Sequence, residues 1–62
     1  MDLLKFKGFL AANKIKQAEI AKLLGISIVT ANGKINGRIA FTIPEAKLIC
    51  DHYHISFNDY FL

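Results

Sequence analysis

Gly25 and Gly37 punctuate the middle of this chain, and the residues around them leave few ways to fold it. A glycine that closes a helix takes positive φ with no Cβ penalty, so each is a natural stop. Ser27, just past the first stop, is suited to cap a new helix. Before Gly25, the apolar Ile20, Ala21 and Leu24 fall on one helical face, while Glu19 and Lys22 fall on the other. The stretch Gln17 to Gly37, QAEIAKLLGISIVTANGKING, is therefore expected to form two short helices joined by a tight turn at Gly25. Ile26 would plug the corner between them, and the small Ala21 would lie where they cross closely.

Two short helices joined in this way make a helix-turn-helix, whose second helix is the usual probe of the DNA major groove. That second helix is poor by propensity. Ile28, Val29 and Thr30 are β-branched, Asn32 and Gly33 follow, and only Ala31 and Ile35 fall where a core is expected. The run Ile26 to Thr30 is the one place where a strand can be argued. Lys34 sits near the negative end of the helix dipole.

The remainder of the chain reads as packing around that pair. From Asp2, a cap, to a stop near Asn13 and Lys14, the residues Leu3, Phe6 and Leu10 share an inward face, with Leu4 and Phe9 partly off it. Gly8 inside this helix suggests a close helix contact, since an exposed glycine there costs about 1 kcal/mol against alanine. After the central pair, Phe41 returns to the core from a loop. Thr42-Ile43-Pro44-Glu45 is a capping box, and it opens a helix that runs to about Tyr53 with Ala46, Ile49, Cys50 and Tyr53 inward. Ser56 begins a final turn ending in Tyr60-Phe61-Leu62, with Phe61 in the core. The expected architecture is all-α: one domain over residues 1–62 with five short helices.

A chain of 62 residues with a single cysteine has no disulfide framework and must rely on its 53% apolar content for a core. Lysines at 5, 7, 14 and 16 interrupt the N-terminal third, so neither a membrane helix nor a cleavable signal is expected, and the chain reads as cytoplasmic. Charge is unevenly placed. Residues 1–38 hold seven of the eight Lys and Arg against Asp2 and Glu19, whereas residues 39–62 hold Lys47 against Glu45, Asp51 and Asp59. A basic front and an acidic back suit a protein that presents one side to a polyanion, although ordinary surface solvation produces the same imbalance.

With these residues in view, Gln17-Ala18-Glu19-Ile20-Ala21, Leu24-Gly25-Ile26-Ser27 and Asn36-Gly37 resemble the Cro/CI family of phage-type, lambda-repressor-like helix-turn-helix repressors. Phe41 to Ala46, Ile55-Ser56 and Asp59-Tyr60-Phe61 resemble the same family's later helices, so the likeness covers about residues 6 to 62. It implies a compact five-helix domain, a dimer on an operator with two half-sites, and transcriptional repression. By matching position, Gln17 meets a phosphate or braces the probe helix. Ser27, Ile28, Val29, Thr30 and Asn32 lie along the groove-facing part of that helix, and Lys34, Asn36 and Arg38 approach backbone phosphates. The chain departs from the family in three places: Lys16 where Thr is frequent, Ala31 where a large apolar residue is usual, and Gly33 where a polar or basic side chain is frequent. Ala31 predicts a thin core between the second and third helices, and Gly33 a contact position without a side chain.

On chemical grounds, Ile28 and Val29 can only pack on thymine methyls or sense shape, whereas Asn32 suits adenine. An A/T-leaning half-site with Asn32 as the one strong polar reader is the expectation. Lys7, Lys16, Lys34 and Arg38 are the phosphate candidates, for each of which simple solvation is the alternative. Cys50, His52 and His54 are too few for a structural zinc site and read as a buried thiol and two surface histidines. No nucleophile sits in a motif with a base, so no enzyme, cofactor or small-molecule substrate is expected. Phe57, Tyr60 and Leu62 either close a homodimer or cover the bottom of the core. Against the double-stranded DNA operator as partner stands one reading of another class, a protein-interaction module on the same fold, such as an anti-repressor or antitoxin-like partner.

Overall fold

The computed structural model describes residues 2–62. Among them the chain forms five helices and no strand: α1 (Leu3–Ala12), α2 (Gln17–Leu24), α3 (Ile28–Ile35), α4 (Ile43–Tyr53) and α5 (Phe57–Phe61). No helix among the described residues is long and apolar enough to cross a membrane.

Most starts have a local cause. Asp2 caps α1 by accepting from the Lys5 backbone N–H at 3.0 Å, and Ser27 caps α3 by accepting from that of Thr30 at 3.1 Å. Thr42 and Glu45 form the reciprocal capping box of α4, with Thr42 Oγ1 accepting from Glu45 N at 3.2 Å and Glu45 Oε1 accepting from Thr42 N at 2.8 Å. The Ser27 cap helps to explain why the β-branched run opening at Ile28 is helical: it holds the first turn, and the packing of the residues behind it holds the rest. Lys16 and Ser56 open α2 and α5 with no side-chain cap.

The stops share one device. Lys14, Gly25, Gly37 and His54 all take the left-handed conformation, at φ 55, 68, 83 and 55°. At each, the following residue sends its backbone N–H to a carbonyl in the last helical turn: Ile15 to Leu10, Ile26 to Ala21, Arg38 to Gly33 and Ile55 to Cys50, at 2.8–3.0 Å. Three of those followers are isoleucines, half-buried, so the chain reversal is coupled to apolar burial. Gly37 is doubly constrained, because a Cβ there would come within 2.9 Å of Leu3 Cδ1. Leu3 therefore packs over the end of α3 and ties α1 to it.

The core is centred on Phe6, Ile20 and Ile49, one each from α1, α2 and α4 and all fully buried. Phe41 comes in from the α3–α4 loop and Phe61 from α5, with ring centroids 5.8 and 5.2 Å from Phe6. Of the inward residues expected on α4, Ala46, Ile49 and Cys50 are buried and Tyr53 is half-buried. Burial raises the Cys50 thiol pKa, with the neighbouring Asp51 charge adding to it, while His52 and His54 are exposed.

One expectation is corrected. Gly8 is exposed, with no atom within 4 Å of where its Cβ would lie, so no helix contact requires a glycine there. Gly8→Ala is accordingly expected to stabilise the domain by roughly 0.5–1 kcal/mol, raising a thermal midpoint by about 4 °C or more; an unchanged or lower midpoint would contradict the open site. Ala31 lies where the core between α2 and α3 is built from small side chains. It is fully buried, as Ala21 nearly is, and α2 packs more extensively on α3 than on α4. Small residues on both sides let the two helices approach closely.

Candidate functional site

The helix α3 has two unlike faces. Ala31, Lys34 and Ile35 recur at i, i+3 and i+4 and are buried, whereas Ile28, Asn32 and Asn36 recur at i, i+4 and i+8 with Val29 beside them and look outward. Ile28 is 56% exposed and Val29 78% exposed. Ser27 is exposed and directs its hydroxyl to Thr30 Oγ1 at 2.9 Å, so the half-buried Thr30 accepts from the cap residue and keeps its own hydroxyl hydrogen to donate.

Asn32 is the centre of a polar relay. Its Nδ2 donates to Gln17 Oε1 at 3.0 Å, and its Oδ1 accepts from a terminal guanidinium nitrogen of Arg38. The side chain of Gln17, at the start of α2, thereby braces α3, one of the two roles expected of it. Asn36 continues the same edge: its Nδ2 donates to the Asn32 carbonyl at 2.9 Å, and its Oδ1 accepts from Lys7 Nζ at 2.9 Å. One ridge of the molecule thus carries Ile28 and Val29 at the amino end of α3, Gln17, Asn32 and Arg38 across its middle, and Asn36 with Lys7 at its carboxyl end. Lys7 and Arg38 remain exposed, as does Lys16 at the start of α2.

Lys34 does not belong to this ridge. Its side chain is turned inward, 7% exposed overall, and its Nζ lies 2.8 Å from Glu45 Oε1 and 3.0 Å from the Ala40 carbonyl oxygen. The ammonium also stands 6.0 Å from the Phe41 ring centroid. The phosphate contact expected at Lys34 is thereby corrected: the helical period puts this residue on the stripe of Ala31 and Ile35. Burial tends to raise the Glu45 carboxyl. The Lys34 hydrogen bond, the Thr42 backbone and side-chain hydrogen bonds and the Lys34 charge together overcome this and hold it below its ordinary value of 4.5. The same carboxylate therefore caps α4 and anchors α3.

Gly33 also acquires a structural reason. It is buried, and a Cβ built on it would lie 2.8 Å from Ile39 Cδ1 and 3.2 Å from Ile39 Cγ1. The backbone N–H groups of Arg38 and Ile39 both return to the Gly33 carbonyl, at 2.8 and 3.1 Å. The missing side chain makes room for the loop that delivers Arg38 to Asn32.

Elsewhere, a shallow groove of about 470 Å³ runs between α2 and α4, lined by Glu19, Lys22, Leu23, His52 and Tyr53. It is away from the ridge, and burial with the Glu19 charge raises the Tyr53 phenol there. Among the described residues no group of His, Cys, Asp and Glu side chains converges in a way that would hold a metal ion. At the other end, Phe57 and Tyr60 are half-buried against their own chain, with centroids 5.9 Å from Phe61 and 5.6 Å from Phe9, and Leu62 is 75% exposed. Of the three residues expected at a homodimer contact, two first cover the monomer core.

Beyond the brace from Gln17, the partners within the relay and the Lys34–Glu45 pair are not expected from the sequence. The signal for the pair was present: a lysine on the apolar stripe of α3 needs a buried anion, and the capping-box glutamate is the acidic residue nearest downstream. The relay has no comparable signal, since it joins residues from three segments.

The model of the BetR domain matches residues 2–62 of the chain. No curated protein and no solved structure matches it.

Proposed function

The chain belongs to the BetR domain family, and on its geometry we propose that it is a sequence-specific regulator of transcription that binds double-stranded DNA, acting in the cytoplasm as a phage- or prophage-type repressor. On this reading α2 and α3 are a helix-turn-helix of the lambda-repressor-like kind, and the exposed face of α3 enters the major groove. The observation that carries it is the ridge itself. An exposed helix face has its opposite side buried, its pitch braced by Gln17 through Asn32, and cations Lys7, Lys16 and Arg38 along its margins. Phosphate contacts position a protein on DNA, and such cations at the margins suit that task. A homodimer would set two such helices about 34–36 Å apart, one DNA turn, and Leu62 with the outer edges of Phe57 and Tyr60 is the surface on which we place its contact.

A salt-titrated gel shift on mixed genomic duplexes tests the reading. Retardation is expected at low salt and should fade steeply as salt rises. Lys16→Ala and Arg38→Ala are each expected to weaken binding to all sequences alike and to lower the salt slope by about 0.9 for each phosphate no longer neutralised. No retardation at low salt would overturn the proposal. It would favour the second reading, a protein-interaction module of the anti-repressor or antitoxin kind, for which the exposed aliphatics Ile28 and Val29 are the supporting observation.

A further inference from the structure

We propose that this protein selects its DNA by the C5-methyl groups of pyrimidines, read by Ile28 and Val29, rather than by hydrogen bonds from Asn32. The inference rests on the DNA-binding reading and specifies what that surface recognises.

Three observations converge on it. Ile28 and Val29 occupy the first turn of α3, 56% and 78% exposed, and neither contributes to the buried core. Both are β-branched, which makes them indifferent helix formers, so local stability gives no reason for them there. The same branching holds χ1 in essentially one rotamer in a helix, so their methyl groups are presented at fixed positions with little entropy left to lose on contact. Finally, the polar side chains of the face are hydrogen-bonded within the molecule, and Asn32 is held at both ends of its amide. Asn32 donates to Gln17 and accepts from Arg38, Thr30 accepts from Ser27, and Asn36 is held between Lys7 and the Asn32 carbonyl. A bidentate contact to adenine needs the Asn32 amide to turn its N–H and its oxygen together toward one base edge, and the two ends of that amide are already held by α2 and by the α3–α4 loop.

In the major groove, thymine shows a C5-methyl and an O4 acceptor, while 5-methylcytosine shows the same methyl beside an N4 donor. An aliphatic pair responds to the methyl and ignores the exocyclic group. A polar reader does the reverse.

The experiment uses the full chain and duplexes enriched from a random library at low salt. In the enriched site each thymine is replaced in turn by deoxyuridine, which removes only the methyl, and by 5-methylcytosine paired with guanine. Deoxyuridine is expected to weaken binding about fourfold at one or two positions per half-site, the equivalent of one buried methyl group. At those positions 5-methylcytosine is expected to restore binding that plain cytosine loses. Ile28→Ala with Val29→Ala should abolish the methyl dependence; both sites are exposed, and an unchanged thermal midpoint confirms that the variant is folded. Equal affinity for thymine and deoxyuridine at every position overturns the inference while DNA binding stands. So does a methyl dependence that survives in the double variant, or a specificity that collapses only in Asn32→Ala. Failure to enrich any site, with no retardation at low salt, removes the DNA reading and this inference with it.

Discussion

Lys34→Ala is expected to lower the stability of the domain by about 3 kcal/mol, the lower end of what removing one member of a buried ion pair costs. A chain of 62 residues has roughly 3–9 kcal/mol in total, so the variant should be partly unfolded at 37 °C. The cost arises because Glu45 and the Ala40 carbonyl lose their shared donor while remaining in place, and because the aliphatic stem beside Phe41 is lost as well. The lower end applies because the Glu45 side chain is 19% exposed and can recover some solvation. Lys34→Met keeps the stem and should cost less. Urea denaturation followed by circular dichroism measures both, and a Lys34→Ala midpoint within experimental error of the parent would show that the pair adds nothing.

Acid titration gives the same pair a second test. The Glu45 carboxyl is held below 4.5 in the folded chain, so it binds its proton less readily there than when unfolded. Its contribution is therefore complete above about pH 4.5 and declines as pH falls through the lower, folded value. In Lys34→Met the depression relaxes and the loss of stability below about pH 4.5 should be shallower. A third consequence separates structure from binding. Folded Lys34→Met should retain the salt slope of the parent on DNA, because an inward ammonium neutralises no phosphate.

This pair also marks the boundary of what the sequence discloses. Helix limits were legible because each is set by a few adjacent residues: Asp2, Ser27 and the Thr42–Glu45 box open helices, and Gly25 and Gly37 close them. The all-α architecture and the inward placement of Phe6, Ile20 and Ile49 follow from helical periodicity taken with those caps and stops. What could not be read is the fate of polar side chains long enough to turn either way. Lys34 near the end of α3 suited a phosphate as well as a glutamate, and the choice depends on where α4 begins in space. Asn32 suits a base edge by its chemistry, and its hydrogen bonds to Gln17 and Arg38 come from two other segments that the sequence does not bring together. Gly8 misled in the opposite sense, since a glycine with no steric reason looks in the sequence like one that has it. His54 likewise takes φ 55° at the end of α4 where a glycine would have announced the stop.

Phe6→Ala is expected to remove most of the stability of the domain and leave a large fraction of the chain unfolded at about 37 °C. Truncation of a buried phenylalanine costs about 3–5 kcal/mol, made up of lost transfer energy and the cavity left behind, against the roughly 3–9 kcal/mol a domain of this length can hold. Phe6 is fully buried and meets Phe41 edge-on at 5.8 Å, Tyr60 at 6.4 Å and Phe61 at 5.2 Å. One ring thus joins α1 to α5 and to the loop between α3 and α4, segments far apart in the sequence. The Asp2 backbone N–H also donates to the Tyr60 carbonyl at 3.1 Å, but that bond sits at the exposed start of the chain. Without the ring, α5 and Phe41 lose their common support, and the Lys34 ammonium beside Phe41 is left next to a cavity. Phe6→Leu, closer in volume, should cost less than half as much and keep the chain folded. Far-ultraviolet circular dichroism across temperature distinguishes them. A cooperative Phe6→Ala transition close to that of the parent would mean that the aromatic cluster is not what holds the ends of the chain to its middle.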